Sequence, residues 1–144
     1  MATVRDILNR KGAAVIAVPP GTTVLDAAQL MNDRGIGAVL VTDGATLAGI
    51  FTERDVMRRV VATRRDPATT TVSQVMTASL VTTSSTATVD ECASLMTARR
   101  IRHLPVQDGE TLAGVVTIGD LMAFQVDEQA STIAQLNSYM YDNR

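Results

Sequence analysis

Leu47-Ala48-Gly49-Ile50-Phe51-Thr52-Glu53-Arg54-Asp55-Val56-Met57 returns as Leu112-Ala113-Gly114-Val115-Val116-Thr117-Ile118-Gly119-Asp120-Leu121-Met122, 65 residues later. The register holds upstream, where Thr23-Val24 matches Thr88-Val89, Met31 matches Met96, Ile36 matches Ile101 and Asp43-Gly44 matches Asp108-Gly109. One unit has been duplicated. At the amino end Val4 corresponds to Val72, an offset of 68, so the first copy carries three additional residues near Arg10-Lys11-Gly12. Two copies of one unit, folded face to face, create paired clefts about an approximate two-fold axis, and function is expected between the copies.

The 144 residues suffice for a buried core, but halves of about 60 residues are marginal alone, which predicts a shared core. Hydrophobic residues make up 46% and charged residues 19%, a globular composition. No apolar run approaches the ~18 residues of a membrane span, and the amino end lacks the basic-then-apolar pattern expected of a signal peptide. The lone Cys92 closes no internal disulfide, and a cytoplasmic location is expected. A net charge of −2, two Phe, two Tyr and no Trp argue against nucleic-acid binding, which calls for basic excess and stacking surfaces. The pairs Arg58-Arg59, Arg64-Arg65 and Arg99-Arg100 read as solvated helix ends and linker.

Val15 to Val18, stopped by Pro19-Pro20-Gly21, reads as a strand and turn. Thr23 and Asp26 have the spacing of a capping box before a helix whose apolar face is Val24, Ala27, Ala28, Leu30 and Met31, ended by Gly35. Ala38 to Thr42 and Leu47 to Phe51 form a hairpin around Asp43-Gly44, and Thr52 with Asp55 opens a second helix. The second copy predicts a strand around Leu80 to Thr82, a helix from Val89 to Arg100, strands His103 to Gln107 and Leu112 to Val116, and a helix from Ile118. The fold class is α/β, each copy β-α-β-β-α. The boundaries are 1–65, 66–126 and a helical tail, 127–144, in which Ile133, Leu136 and Met140 recur at helical spacing.

From Val4 to about Val126 the chain resembles the CBS-domain family. The resemblance rests on the duplication, on Gly-x-x-Thr-x-x-Asp at Gly49/Thr52/Asp55 and Gly114/Thr117/Asp120, and on Ile101-Arg102-His103-Leu104-Pro105-Val106. It implies tandem CBS domains packed with pseudo-two-fold symmetry, a pair called a Bateman module. Such pairs commonly form disc-like homodimers and sense adenosine-containing ligands in two clefts without catalysis.

An adenine nucleotide requires an apolar slot, an acceptor for two ribose hydroxyls and donors for phosphate. Asp55 is the acceptor, Thr52 stands where N–H groups of a helix start converge on a phosphate oxygen, and Arg54 adds a cation. Thr117 and Asp120 repeat the pattern, with Gly119 in place of Arg54. By the resemblance, Arg102 and His103, whose counterparts are Gly37 and Ala38, reach the phosphate of a ligand whose ribose Asp55 holds. Ile16, Ala17, Val18, Val81 and Thr82 supply backbone and walls for the base, and Ile36, Gly37 and Ile101 close the slot. The same Thr-x-x-Asp spacing is a helix cap that needs no ligand.

These residues predict a non-catalytic sensor of AMP, with ADP, ATP, NAD(H) or S-adenosylmethionine sharing the recognition chemistry. No catalytic cofactor or metal is expected. The output passes to an effector protein or to the homodimer itself. The alternative is a ligand-free interaction and dimerisation scaffold. An enzyme such as a fragment of inosine-monophosphate dehydrogenase is disfavoured, because neither its barrel nor its catalytic cysteine loop is here and Cys92 falls in a helix.

Overall fold

The structure is a computed structural model and describes residues 1–12 and 14–142; the last two residues of the expected tail lie outside the described residues. The first copy runs through α1 (Val4–Lys11), β1 (Ala17–Val18), α2 (Val24–Arg34), β2 (Ala38–Asp43), β3 (Thr46–Thr52) and α3 (Glu53–Asp55). A π-helical segment, Val56–Val61, prolongs α3. The second copy runs through α4 (Val72–Val75), α5 (Val89–Arg99), β4 (His103–Asp108), β5 (Thr111–Thr117) and α6 (Ile118–Asp142). These elements form two compact units: Ala14–Thr82 with Asp108–Leu112, and Met1–Ala13 with Thr83–Gln107 and Ala113–Arg144.

Each copy's leading helix sits with the other copy's elements. Val4 N–H donates to Ala87 O at 2.8 Å, Val89 N–H to Ala2 O at 3.0 Å, and Thr3 bridges Thr88. The first-copy unit mirrors this with α4: Val72 N–H reaches Thr22 O and Val24 N–H reaches Thr70 O, both at 2.8 Å, and Thr23 bridges Thr71. Helices α1 and α4 are not among the elements expected from the sequence, although Thr3-x-x-Asp6 and Thr71-x-x-Gln74 carry the cap spacing. Thr3 N–H donates to Asp6 Oδ2 at 2.8 Å and Thr71 N–H to Gln74 Oε1 at 3.0 Å.

In the first-copy unit the strand order is β1-β2-β3, with β1 parallel to β2 (Ala17↔Leu40, Val18↔Val41) and β3 antiparallel (Ala38↔Thr52). The register slips between Val41 and Thr42, where β3 bulges near Gly49. Val18, Val24, Ala27, Met31, Val39, Val41, Phe51, Val60, Val72 and Val75 make the core.

The other unit departs from its twin at one rung. The strand expected around Leu80 to Thr82 is reduced to a single bridge, Thr83↔Val106. In the first copy Leu40 N–H donates to Ile16 O at 3.1 Å. The residue 65 positions later is Pro105, which has no N–H, so that bond to Val81 cannot form. The bonds that need no Pro105 donor persist, from Thr83 N–H to Pro105 O at 3.0 Å and from Gln107 N–H to Thr83 O at 2.8 Å.

Helices α2 and α5 both stop in a left-handed residue, Gly35 (φ 62°) and Arg100 (φ 54°). The helix from Ile118 and the tail helix, read separately in the sequence, are one continuous 25-residue α6. Leu121 and Phe124 anchor its start, with the Arg10 guanidinium 5.0 Å from the Phe124 ring centroid and 3.0 Å from the Asp127 carboxylate. Among the described residues no helix is long and apolar enough to cross a membrane.

Candidate functional site

Ile16, Ala17, Val18, Ile36, Gly37, Thr52, Arg54 and Asp55 all belong to the first-copy unit, and Val81 and Thr82 end the stretch of chain counted with it. Strands β2 and β3 bring Gly37, Thr52, Arg54 and Asp55 to one end of the sheet, while Ala17 and Val18 pair further along β2, opposite Leu40 and Val41. Ile16 to Val18 lie along β2, Gly37 precedes β2, and Thr52 ends β3 opposite Ala38. Glu53 N–H donates to Gly37 O at 3.0 Å, which fastens the start of α3 to the strand opening. Ala17 and Arg54 are exposed, whereas Asp55 is only 6% exposed.

The Asp55 carboxylate is oriented by its own turn. Its Oδ2 accepts from Thr52 N–H at 2.9 Å and from the Thr52 hydroxyl at 3.3 Å, and Asp55 N–H returns to Thr52 Oγ1 at 3.4 Å. Arg59 Nε stands 3.7 Å from Oδ1, near enough for charge attraction and beyond a good hydrogen bond. The Arg59 Nη1 is spent on the carbonyls of Val75 and Met76, at 3.1 and 2.9 Å, at the end of α4. The N–H groups expected to converge on phosphate beside Thr52 are largely consumed, Glu53 N–H by Gly37 and Asp55 N–H by the Thr52 hydroxyl. What the turn presents is an acceptor, Oδ1, and a neighbouring cation.

Ile101, Arg102, His103, Thr117 and Asp120 belong to the other unit. Ile118 N–H donates to Arg102 O at 3.0 Å, the counterpart of the Glu53 bond. Arg102 is exposed and His103 half-buried. Thr117 N–H donates to Asp120 Oδ2 at 2.8 Å, and Asp120 N–H to Thr117 Oγ1 at 3.1 Å.

Here the copies diverge. Lys11 Nζ stands 2.6 Å from Asp120 Oδ2 and 2.8 Å from Val115 O, with both charged side chains partly exposed. This lysine closes α1, the helix exchanged into this unit, at the three-residue excess of the first copy. The excess is visible in the sequence, but its role is not. Its contact spans 109 positions and leaves no local signal.

A shallow pocket of about 430 Å³ opens in the same unit beside Thr88, Asp90, Phe124 and Glu128. It contains none of the expected residues. Asp90 and Glu128 would repel a phosphate, so the pocket is not assigned to the ligand.

The CBS domain family profile matches residues 3–62 and 72–127. CBS domain-containing protein YhcV of Bacillus subtilis is 34% identical over 137 residues, covering 95% of either chain. A signal-transduction protein with CBS domains from Burkholderia ambifaria, 44% identical, superposes with a TM-score of 0.86 over 89% of this chain and 96% of its own. The CBS domain pair of MJ0100, solved with 5′-methylthioadenosine and S-adenosyl-L-methionine, shares the fold at a TM-score of 0.78 and 24% identity, covering 89% of this chain and 98% of its own. The duplicated signature, the two mixed units and the paired profile matches together make this chain a member of the CBS domain family.

Proposed function

We propose that this CBS domain pair, a regulatory module, binds an adenosine-containing nucleotide, AMP foremost and ADP, ATP, NAD(H) or S-adenosylmethionine by the same chemistry. In this reading Asp55 takes the ribose hydroxyls, Ile16 to Val18 and Ile36 flank the base, and Arg102 and His103 of the other copy take the phosphate. The protein acts as a cytoplasmic homodimer that passes its state to an effector protein.

The carrying observation is the Asp55 carboxylate. Thr52 fixes it through Oδ2, which leaves Oδ1 as an acceptor in the turn that follows β3, where Thr52 pairs with Ala38 next to Gly37. The MJ0100 pair supports an adenosine ligand in this fold. Asp120 is the weaker acceptor because Lys11 already neutralises it. The scaffold alternative is favoured by one observation: Thr3 and Asp6 make the same N–H to carboxylate bond at an exposed helix start, where capping alone explains it.

Calorimetric titration with AMP, ADP, ATP, NADH and S-adenosylmethionine separates the readings. Asp55→Asn keeps an oxygen for the Thr52 N–H and removes the charge. Loss of a charged hydrogen bond, about 1.5–3 kcal/mol, weakens binding roughly 10- to 150-fold. Arg102→Ala, at an exposed side chain, should weaken phosphate-bearing ligands without moving the melting temperature. Ligand at 100 times its Kd adds about 2.7 kcal/mol of stability. No heat and no melting shift with any of the five compounds would leave the scaffold reading.

A further inference from the structure

The tail of α6 has an apolar stripe that the fold leaves open. Leu121 and Phe124 are its buried side chains, and from Gln125 onward every described side chain of the helix is exposed. From Met122 onward the exposed Met, Val, Ile and Leu side chains follow a seven-residue repeat, broken by one polar residue, Gln129. Val126, Ile133 and Met140 hold one position of the heptad, and Met122, Gln129 and Leu136 hold the other, three residues ahead or four behind. Met122, Val126, Ile133, Leu136 and Met140 are 61%, 62%, 59%, 56% and 65% exposed. Most of a helix's stability in a protein comes from packing its apolar face, so the open seam calls for cover.

We infer that α6 pairs in parallel with α6 of a second copy of this chain, as a two-stranded coiled coil from Met122 to Met140. Three features select that occupant. β-branched Val126 and Ile133 at the first seam position, with Leu136 at the second, are the combination that favours two parallel strands. The positions flanking the seam, Gln125, Ala130, Thr132 and Asn137, carry no charge, so a second copy meets no like-charge repulsion, while Asp127 and Glu128 lie outside it. Two copies of the stripe present on the order of 1,000 Å² of apolar surface, the least that marks a specific interface. In the parallel register Gln129 faces the same residue of the other copy, and a polar pair there fixes register at some cost in stability. This pairing gives the homodimer a surface and is independent of the nucleotide reading.

Sedimentation equilibrium on the full chain tests it. Wild type should be dimeric at tens of micromolar, and Ile133→Glu with Leu136→Glu should raise the dissociation constant at least about tenfold, with circular dichroism checking that the double variant is folded. If the glutamates unfold the tail, Ile133→Ala with Leu136→Ala replaces them and should shift the equilibrium in the same direction. On a Cys92→Ser background, Ile133→Cys should form a disulfide-linked dimer on mild oxidation, because this seam position meets its equivalent in parallel pairs. A monomeric wild type, in which the seam serves another partner or folds back on its own chain, overturns the inference. So does an unchanged constant in both double variants, or Ile133→Cys that stays unlinked while Met57→Cys, at another exposed apolar site, links readily.

Discussion

Gly49→Ala tests why the family signature begins with glycine. A Cβ at position 49 would lie 2.5 Å from Met76 Sδ, 3.0 Å from Met76 Cγ and 2.8 Å from the Thr77 carbonyl oxygen. The thioether can rotate away. The carbonyl cannot, because Ile50 and Thr77 exchange two backbone hydrogen bonds of 3.0 Å that pin segment 76–77 against β3. Accommodating the methyl group stretches that pair and shifts the Met76 carbonyl that Arg59 holds at 2.9 Å. Overpacking of this kind costs about 1–3 kcal/mol, and a weakened hydrogen bond adds about 0.5–1.5. A total of about 1.5–4.5 kcal/mol, divided by a urea slope of about 2 kcal/mol per molar, lowers the unfolding midpoint by roughly 0.7–2.2 M. Met76→Ala added to Gly49→Ala should recover only part of the loss, since the Thr77 oxygen remains. A midpoint within about 0.2 M of wild type would falsify the view that close backbone approach fixes this glycine.

Arg100→Gly removes a left-handed non-glycine residue and should stabilise by about 0.5–1 kcal/mol after glycine's entropy in the unfolded chain is deducted, while Gly35→Ala should destabilise by a similar amount; paired thermal melts decide both. Lys11→Met breaks the Asp120 pair and the bond to Val115 O and should cost about 1 kcal/mol in low salt, a difference that shrinks in 1 M NaCl; equal losses at both salt concentrations would remove charge from the explanation. Burial pushes the Cys92 thiol up, so native protein should react with a thiol reagent at least about a hundredfold more slowly than protein in guanidinium. The same shift fixes a sign: as pH climbs through the ordinary thiol range the unfolded chain ionises first, and stability at this residue falls rather than rises.

Elements with a local cause were legible in the sequence. The α2 face, the Asp43-Gly44 hairpin and the Thr52 cap each need only neighbouring residues, and each forms as expected, although Thr23 receives the Asp26 N–H at 3.1 Å as a one-sided cap. The lost rung at Pro105 is also legible, because the absent N–H is written in the sequence, although the strand expected around Leu80 to Thr82 leaves it out of account. The exchange of α1 and α4 was not. Thr3 finds Thr88, and Val72 N–H finds Thr22 O, through chain crossings that no periodicity encodes. The π-helical turn after Asp55 has no local signal, and the Lys11 contact follows only once the exchange is known.

That exchange explains why equal scaffolds hold unequal chemistry. Both copies orient a signature carboxylate in one way, with the Thr52 N–H at 2.9 Å and the Thr117 N–H at 2.8 Å from their aspartates. The cations around those carboxylates differ by origin. Around Asp55 they are local: Arg54 comes from the same turn and Arg59 from the following one, the latter committed to the end of α4. Around Asp120 the cation is imported on α1, lengthened in the first copy alone, and position 119 is a glycine. A carboxylate neutralised at 2.6 Å has less to offer a hydroxyl than one whose nearest cation is 3.7 Å away, because each unit of charge already matched weakens the next hydrogen bond. Duplication supplied two frames, and on the proposed nucleotide reading one lysine delivered by the crossing helix is enough to rank them differently for the same ligand.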